Sequence, residues 1–296
     1  MTFITRAIEL SFTLGHDASG NAASFNASGA NVVTLTGHRV QVSVSETTGP
    51  GMGEARIRVY GLVPSILNRL SSLNSATATA APNRVVVKAG DNGHALAIVF
   101  DGQINLAQAD MSQQPTTTLN IMAFGGLLNA VQPIPPSSYP GAADAAIILQ
   151  NLASQMGLAF ENSGASKMLA TPYFWGDAKK QAMDCARAAG FEIVIDRNTL
   201  AIWPKGQARG LAVPLISPDT GMVGYPTYSS MSDGGGITVK TLFNPQIRAG
   251  GAVQVKSALP VANGRWLVFH VGHELEAEVP GGQWFTHFTG SSLAPT

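Results

Sequence analysis

With 18 basic and 18 acidic side chains in 296 residues, the chain has no formal net charge, so it lacks the basic surplus by which a nucleic-acid binder neutralises phosphates. Charged residues make up only 12%, while Gly (32) and Pro (17) are abundant; few charges among many turn formers point to a β-rich protein covered over large areas by partners rather than by water, the alternative being a plain compositional bias of the source genome. No apolar run approaches the roughly eighteen residues of a membrane helix, and the opening MTFITRAIELSFTLG, with Glu9 inside it, does not read as a signal peptide.

The length suits one large domain or two to three smaller ones. Residues 1–134 read as strands: RAIELSFTL alternates, VVTLTGHRVQVSVSE is a long β-branched run, and the Gly-rich turn TGPGMG leads into EARIRVYGL. VPSILNRLSSL places Pro64 at the start of a short helix with Ile66, Leu67 and Leu70 on one face. NSATATAAPN reads as a loop, and RVVVKAG, HALAIVFDGQINLAQADM and TTTLNIMAFG return to strands. PIPPSSYPG is a Pro-rich linker opening a small α+β module over residues 135–207. In it, AADAAIILQNLASQMG predicts a helix with Ile147, Ile148, Leu152 and Met156 near one face and Gly157 as its stop. WGDAKKQAMDCARAAG predicts a second helix, begun at Asp177 and ended by Gly190, and FEIVID-RN-TLAIWP a hairpin turning at Arg197 and Asn198. Residues 208–296 go back to β. VPLISPDTGMVGYPTYSSMSDGGG reads as irregular, followed by strands in GITVKTLFNP, AVQVKS, RWLVFHVGHELEAEV and QWFTHFTG.

The stretch FHVGHELEAEV (269–279) holds two histidines and three glutamates. Leu267, Phe269, Val271, His273, Leu275, Ala277 and Val279 take alternate places, which makes this a strand with one apolar face. The other face, Trp266, Val268, His270, Gly272, Glu274, Glu276 and Glu278, turns acidic. On a strand His270 and His273, three apart, point to opposite sides and cannot chelate one ion. The expectation is a solvated row of Glu274, Glu276 and Glu278, with neither metal nor cofactor.

Two stretches echo each other. One runs from Val85 (VVVKAGDNGHALAIVFDGQINLAQAD…TTTLNIMAFG), the other from Val253 (VQVKSALPVANGRWLVFHVGHELEAEVPGGQWFTHFTG). Each opens V-x-V-K, passes a polar turn to a strand carrying Val-Phe, and ends on a further strand. A duplicated β unit on either side of the α+β module is expected.

Other motifs are weak. GPGMG (49–53) lacks the Lys-Ser/Thr of a phosphate loop and reads as a hairpin turn; DGGG (233–236) reads as a connector. No G-x-S-x-G occurs. A triad from His16, Asp17 and His38 has no supporting pattern, and Glu54, Asp101, Asp110 and the Glu274 row do not select a carboxylate pair. Cys185, the one cysteine, sits in an Ala-rich helical pattern as a small core residue. Trp203, Trp266 and Trp284 read as core or interface.

The order of parts resembles a known family. GHRVQVSVSETTGPGMGEARIRVYGLVPSILNRLSSL, then VVVKAG and VFDGQINLAQAD, is similar to the start of the central baseplate hub proteins of Mu-like and T4-like contractile phages. ISPDTGMVGYP, LFNPQIRAGGAVQV and GRWLVFHVGHELEAEVPGGQWFT is similar to their close. The resemblance implies a mainly β fold with an α+β insert: two tube-type β-barrels, in residues 1–134 and 208–296, flanking the module. It implies a homotrimer whose six barrels form a pseudo-hexameric ring between the hexameric tail tube and the trimeric central spike. Surrounding baseplate proteins would be further partners, and DNA would pass without specific binding. It implies a structural, non-enzymatic virion protein, assembled in the host cytoplasm and lacking the extra peripheral domain of the T4-type hub. In that setting the acidic row would face the lumen. Two rivals stay open: a cell-wall hydrolase using Glu or His of the C-terminal part, and a glycan-binding tail-tip module using Tyr225, Tyr228 and Trp284.

Overall fold

Alternating side chains dictate most of this molecule, because a strand sends residues i and i+2 to one face. The computed structural model describes residues 5–16, 23–26, 28–71, 82–112, 115–130, 132–231 and 234–293. In chain order the elements begin β1 (Arg6–Thr13), β2 (Val32–Leu35), β3 (Val40–Thr47), β4 (Glu54–Tyr60), α1 (Pro64–Leu70), β5 (Arg84–Asp91), β6 (Ala97–Asp110) and β7 (Thr118–Phe124). There follow β8 (Ser137–Ser138), β9 (Ala142–Asp144), α2 (Ala145–Gln155), β10 (Ala159–Asn162), β11 (Met168–Ala170), β12 (Tyr173–Phe174), α3 (Ala178–Ala189), β13 (Phe191–Asp196) and β14 (Thr199–Pro204). The chain ends with β15 (Leu215–Ile216), β16 (Met222–Met231), β17 (Gly234–Leu242), β18 (Ala252–Val255), β19 (Gly264–Ala277) and β20 (Trp284–Ser292). The fold is mainly β with an α+β insert, as the alternation predicts.

The chain divides into two compact units that are interleaved in sequence. The first comprises residues 1–44, 53–128 and 273–284, the second 45–52, 129–272 and 285–296.

The first unit is an antiparallel sheet in the order β3-β4-β7-β6-β5-β1-β2, with the end of β19 beside β3. Its core is the inward parity of each strand: Ile8, Leu10 and Phe12; Val40, Val42 and Val44; Ala55, Ile57 and Val59; Val85 and Val87; Leu119 and Ile121. Each such Leu, Ile or Val contributes about 1.5–3 kcal/mol by leaving water. The helix α1 starts at Pro64, whose missing N–H costs nothing in a first turn, and buries Leu67 and Leu70. The register of β6 against β7 shifts between Ile104 and Leu106, and just before it a Cβ on Gly102 would lie 2.5 Å from the Phe124 carbonyl oxygen. Only glycine lets the two backbones approach there.

The second unit holds two cores. In one, α2 and α3 cover the sheet β10-β14-β13, burying Ile148, Leu149, Leu152, Ala182, Cys185, Ile193, Leu200 and Ile202. Both helices start on an acid: Asp144 accepts from Ala146 N at 2.9 Å and Asp177 from Lys180 N at 2.8 Å. Gly190 ends α3 in the left-handed region, φ 73. The β13–β14 turn is made by Arg197 and Asn198, both at positive φ, as a two-residue hairpin demands. The Cys185 thiol is buried and its pKa pushed up to about 12 by that burial, so it is an inert packing group. The other core gathers Trp203, Val239, Val253, Trp266, Val268 and Phe288 from β14, β17, β18, β19 and β20.

The echoing stretches form β5-β6-β7 and β18-β19-β20, each a run of three neighbouring strands. Each has a middle strand of 14 residues. Several local expectations are corrected. VVTLTGHRVQVSVSE is two strands, β2 and β3, because the turn at Gly37 (φ 67) divides it. The segment expected to be irregular contains β16, and Gly234–Gly236 belong to β17 rather than to a connector. In α2 it is Leu149, not Ile147, that is buried; Ile147 is 57% exposed. The apolar face of β19 also changes parity: Trp266 and Val268 are buried, then Val271, His273, Leu275 and Ala277. The NSATATAAPN loop (mostly) and Asp17 lie outside the described residues.

Candidate functional site

The outward parity of the first unit's sheet forms a groove of about 540 Å³. Because β19, β3, β4, β7 and β6 lie side by side, their outward residues converge: Glu274 and Glu276 on β19, Gln41 and Ser43 on β3, Arg56 and Arg58 on β4, Asn120 on β7 and Gln108 on β6. Ser43 Oγ donates to Glu274 Oε1 at 2.7 Å, and Gln41 Nε2 to Glu276 Oε1 at 2.8 Å. Gln283 N donates to Glu276 Oε2 at 3.0 Å. Across the groove Arg56 Nε meets Glu54 at 2.6 Å and Arg58 Nε donates to Asn120 Oδ1 at 2.8 Å. Neutral donors thus partner both glutamates, and two arginines share the same groove.

Glu274 and Glu276 lie together as the strand parity predicts. Glu278 does not join them: β19 ends at Ala277, and Glu278 sits exposed in the following turn at φ 55. It lines a separate, smaller hollow with Arg6, His38 and His94. Arg56 and Arg58, which share the groove, were not singled out from sequence, although their alternation with Ala55, Ile57 and Val59 put them on the outward face.

The histidines diverge. His270 is half-buried, its Nδ1 3.2 Å from Thr47 Oγ1 and its ring 5.9 Å from that of His287. Burial first, then the neighbouring His287, holds its pKa below the ordinary value. His273 is fully buried. Among the described residues no three His, Cys, Asp or Glu side chains converge as a metal set. The carboxylates scattered along the chain are each engaged separately: Asp101 with Arg84 at 2.5 Å, Asp110 with Ser112 at 2.6 Å. Trp284 is only 6% exposed, with Arg6 over its ring, so it offers no face to a sugar; Tyr225 and Tyr228 are exposed on β16.

Among the described residues the densest charge cluster lies in the second unit. Asp196, at the end of β13 and 2% exposed, receives Arg209 Nη1 at 3.0 Å and Arg248 Nε at 2.7 Å on Oδ2. Arg209 spans to Glu161 with both Nε (3.0 Å) and Nη2 (2.7 Å). Burial alone would raise the Asp196 pKa, but Arg197, Arg248 and Arg209 outweigh it and hold the group below its ordinary value. At Glu161 too burial works upward, and the Arg209 hydrogen bonds bring the pKa down. Four distant segments supply these residues, so no local motif announces them.

Comparison with solved structures finds this fold in phage tail proteins. The tail protein from Neisseria meningitidis MC58 matches with a TM-score of 0.62 at 10% identity, over 96% of each chain. The 43 kDa tail protein of prophage MuSo2 from Shewanella oneidensis matches with 0.60 at 9%, over 97% of each chain. The E. coli c3393 protein, a type VI secretion system component described as structurally similar to T4 tail proteins gp27 and gp5, matches with 0.57 at 11%, over 86% of this chain and 73% of that one. No curated protein sequence matches. The family model described as "Baseplate hub gp41" matches residues 22–279. A sheet-built protein with the fold of phage tail proteins and this family's sequence pattern over most of its length, the chain belongs to the baseplate hub gp41 family.

Proposed function

We propose that the chain is a structural, non-enzymatic hub subunit that forms a homotrimer, joins the hexameric tail tube to the trimeric spike and leaves a passage for DNA. The observation that carries this reading is the repeat of one three-strand plan, β5-β6-β7 and β18-β19-β20, with 14-residue middle strands. Two similar modules in each of three chains make six, the number a hexameric tube requires; closed, heterologous contacts make the ring. In this reading residues 1–134 and 208–296 each build one tube-type barrel, and the module 135–207 reaches outward to surrounding baseplate proteins.

Glu274 and Glu276 then line the passage, while Glu278 lies apart from them in the turn after β19. Arg56 and Arg58 share their groove, so this wall presents both signs and neither binds nor strongly repels DNA phosphates. Carboxylates buried between subunits in a structure of the assembly would overturn the lumen assignment. The trimer itself is tested by light scattering on the purified chain at several concentrations. The expected mass is three times 30.8 kDa; a strict monomer that also fails to associate with tube and spike proteins would overturn the hub reading.

A further inference from the structure

The β3–β4 turn is seated in the second unit by a set of contacts of which one is chemically unusual. Thr48 N donates to the Phe269 carbonyl at 2.9 Å, and Gly49 N to that of Ile193 at 3.0 Å. Beside them the Glu46 side chain, 3% exposed, meets that of Asp196. Two carboxyl groups facing each other inside a protein are a problem if both are ionised: each is an acceptor, and neither can satisfy the other. Glu46 Oε2 and Asp196 Oδ1 are in fact buried without a hydrogen-bond partner, as are Nε and Nη2 of the neighbouring Arg197. One proton satisfies both.

We propose that Glu46 is protonated at neutral pH and donates its hydrogen to Asp196 Oδ1, forming a buried acid–carboxylate pair that latches the β3–β4 turn to the end of β13. The surroundings decide which group holds the proton. Asp196 carries Arg209 and Arg248 on its Oδ2, and Arg197 Nε lies 3.4 Å from its Oδ1, so its charge is compensated. Glu46 lacks such a bond; Arg197 and Arg248 act on it only at a distance, and the His270 ring bonds its backbone rather than its carboxyl. Glu161 is occupied by Arg209. Burial first, then the Asp196 charge, pushes the Glu46 pKa from 4.5 up to about 8.

The sign follows from linkage. A group whose folded pKa is raised contributes its full stability below the unfolded value and loses it as pH climbs to the folded value. The window is therefore pH 4.5 to about 8. Within it, unfolding releases one proton from Glu46, and the unfolding equilibrium constant rises about tenfold per pH unit from this group alone.

The test compares denaturant unfolding of wild type and Glu46→Gln across that window. The amide keeps the donor and cannot titrate, so the ratio of the two unfolding constants should change about tenfold per pH unit. Parallel pH profiles would overturn the proposal. Should the variant not fold, infrared spectra of the wild type decide. A protonated-carboxyl band at neutral pH that moves on 13C labelling of glutamate is expected, and its absence would overturn the latch.

Discussion

Asp196 and its partners show how much of this protein rests on single side chains far apart in sequence. Glu161, Asp196, Arg209 and Arg248 sit on four segments, and Arg209 is 2% exposed. Removing one member of such a set strands the others as uncompensated charges, which costs more than the intact set contributes. Arg209→Ala should lower stability by about 3–5 kcal/mol, read from urea unfolding at neutral pH. A loss below about 1 kcal/mol would show that the cluster is wetter than its geometry implies. Nothing in the sequence marks these residues, because their pairing is set by tertiary structure alone. Asp196 looks like the start of a turn and Arg209 like a loop residue. Glu274 and Glu276 were legible, since period two fixes their common face; Glu278 was not, because the strand stops one residue earlier.

Elements with clear start and stop signals were readable to within a residue or two: α3 between Asp177 and Gly190, the β13–β14 hairpin at Arg197 and Asn198, and the extent of β19. β16 was obscured by Gly224 and Pro226, which shift the register inside the strand. The parity change in β19 was hidden as well, since Leu267 and Phe269 are as apolar as the Trp266 and Val268 that are buried. Another element depends on a polar anchor. Gln181 of α3 is fully buried; its Oε1 accepts from Ser137 N at 3.1 Å and Ser137 Oγ at 2.7 Å, and its Nε2 donates to the Pro135 and Gly176 carbonyls at 3.1 and 3.0 Å. This one side chain thereby fixes the Pro-rich linker to the helix. Gln181→Leu leaves those backbone groups unsatisfied and should cost on the order of 2–3 kcal/mol. It should also make the 133–137 linker a new cleavage site in limited proteolysis. Unchanged cleavage would show that β8 and β12 hold the linker without the glutamine.

At the scale of the molecule, a chain with 12% charged residues and no net charge has little to gain or lose from ionic screening. Its proposed self-association is expected to rest on apolar and backbone contacts. The trimer mass should then stay constant from low salt to about 0.5 M, where the Debye length is only a few ångströms. Dissociation on adding salt would instead place ion pairs at the subunit contacts. The interleaving of the two compact units carries a consequence for inheritance. The first unit takes its last piece from residues 273–284, after most of the second has been made, and the second takes its first piece from residues 45–52. A single crossover between residues 45 and 284 therefore transmits neither unit whole. Variation arriving by genetic exchange has to replace the chain nearly entire or alter it residue by residue.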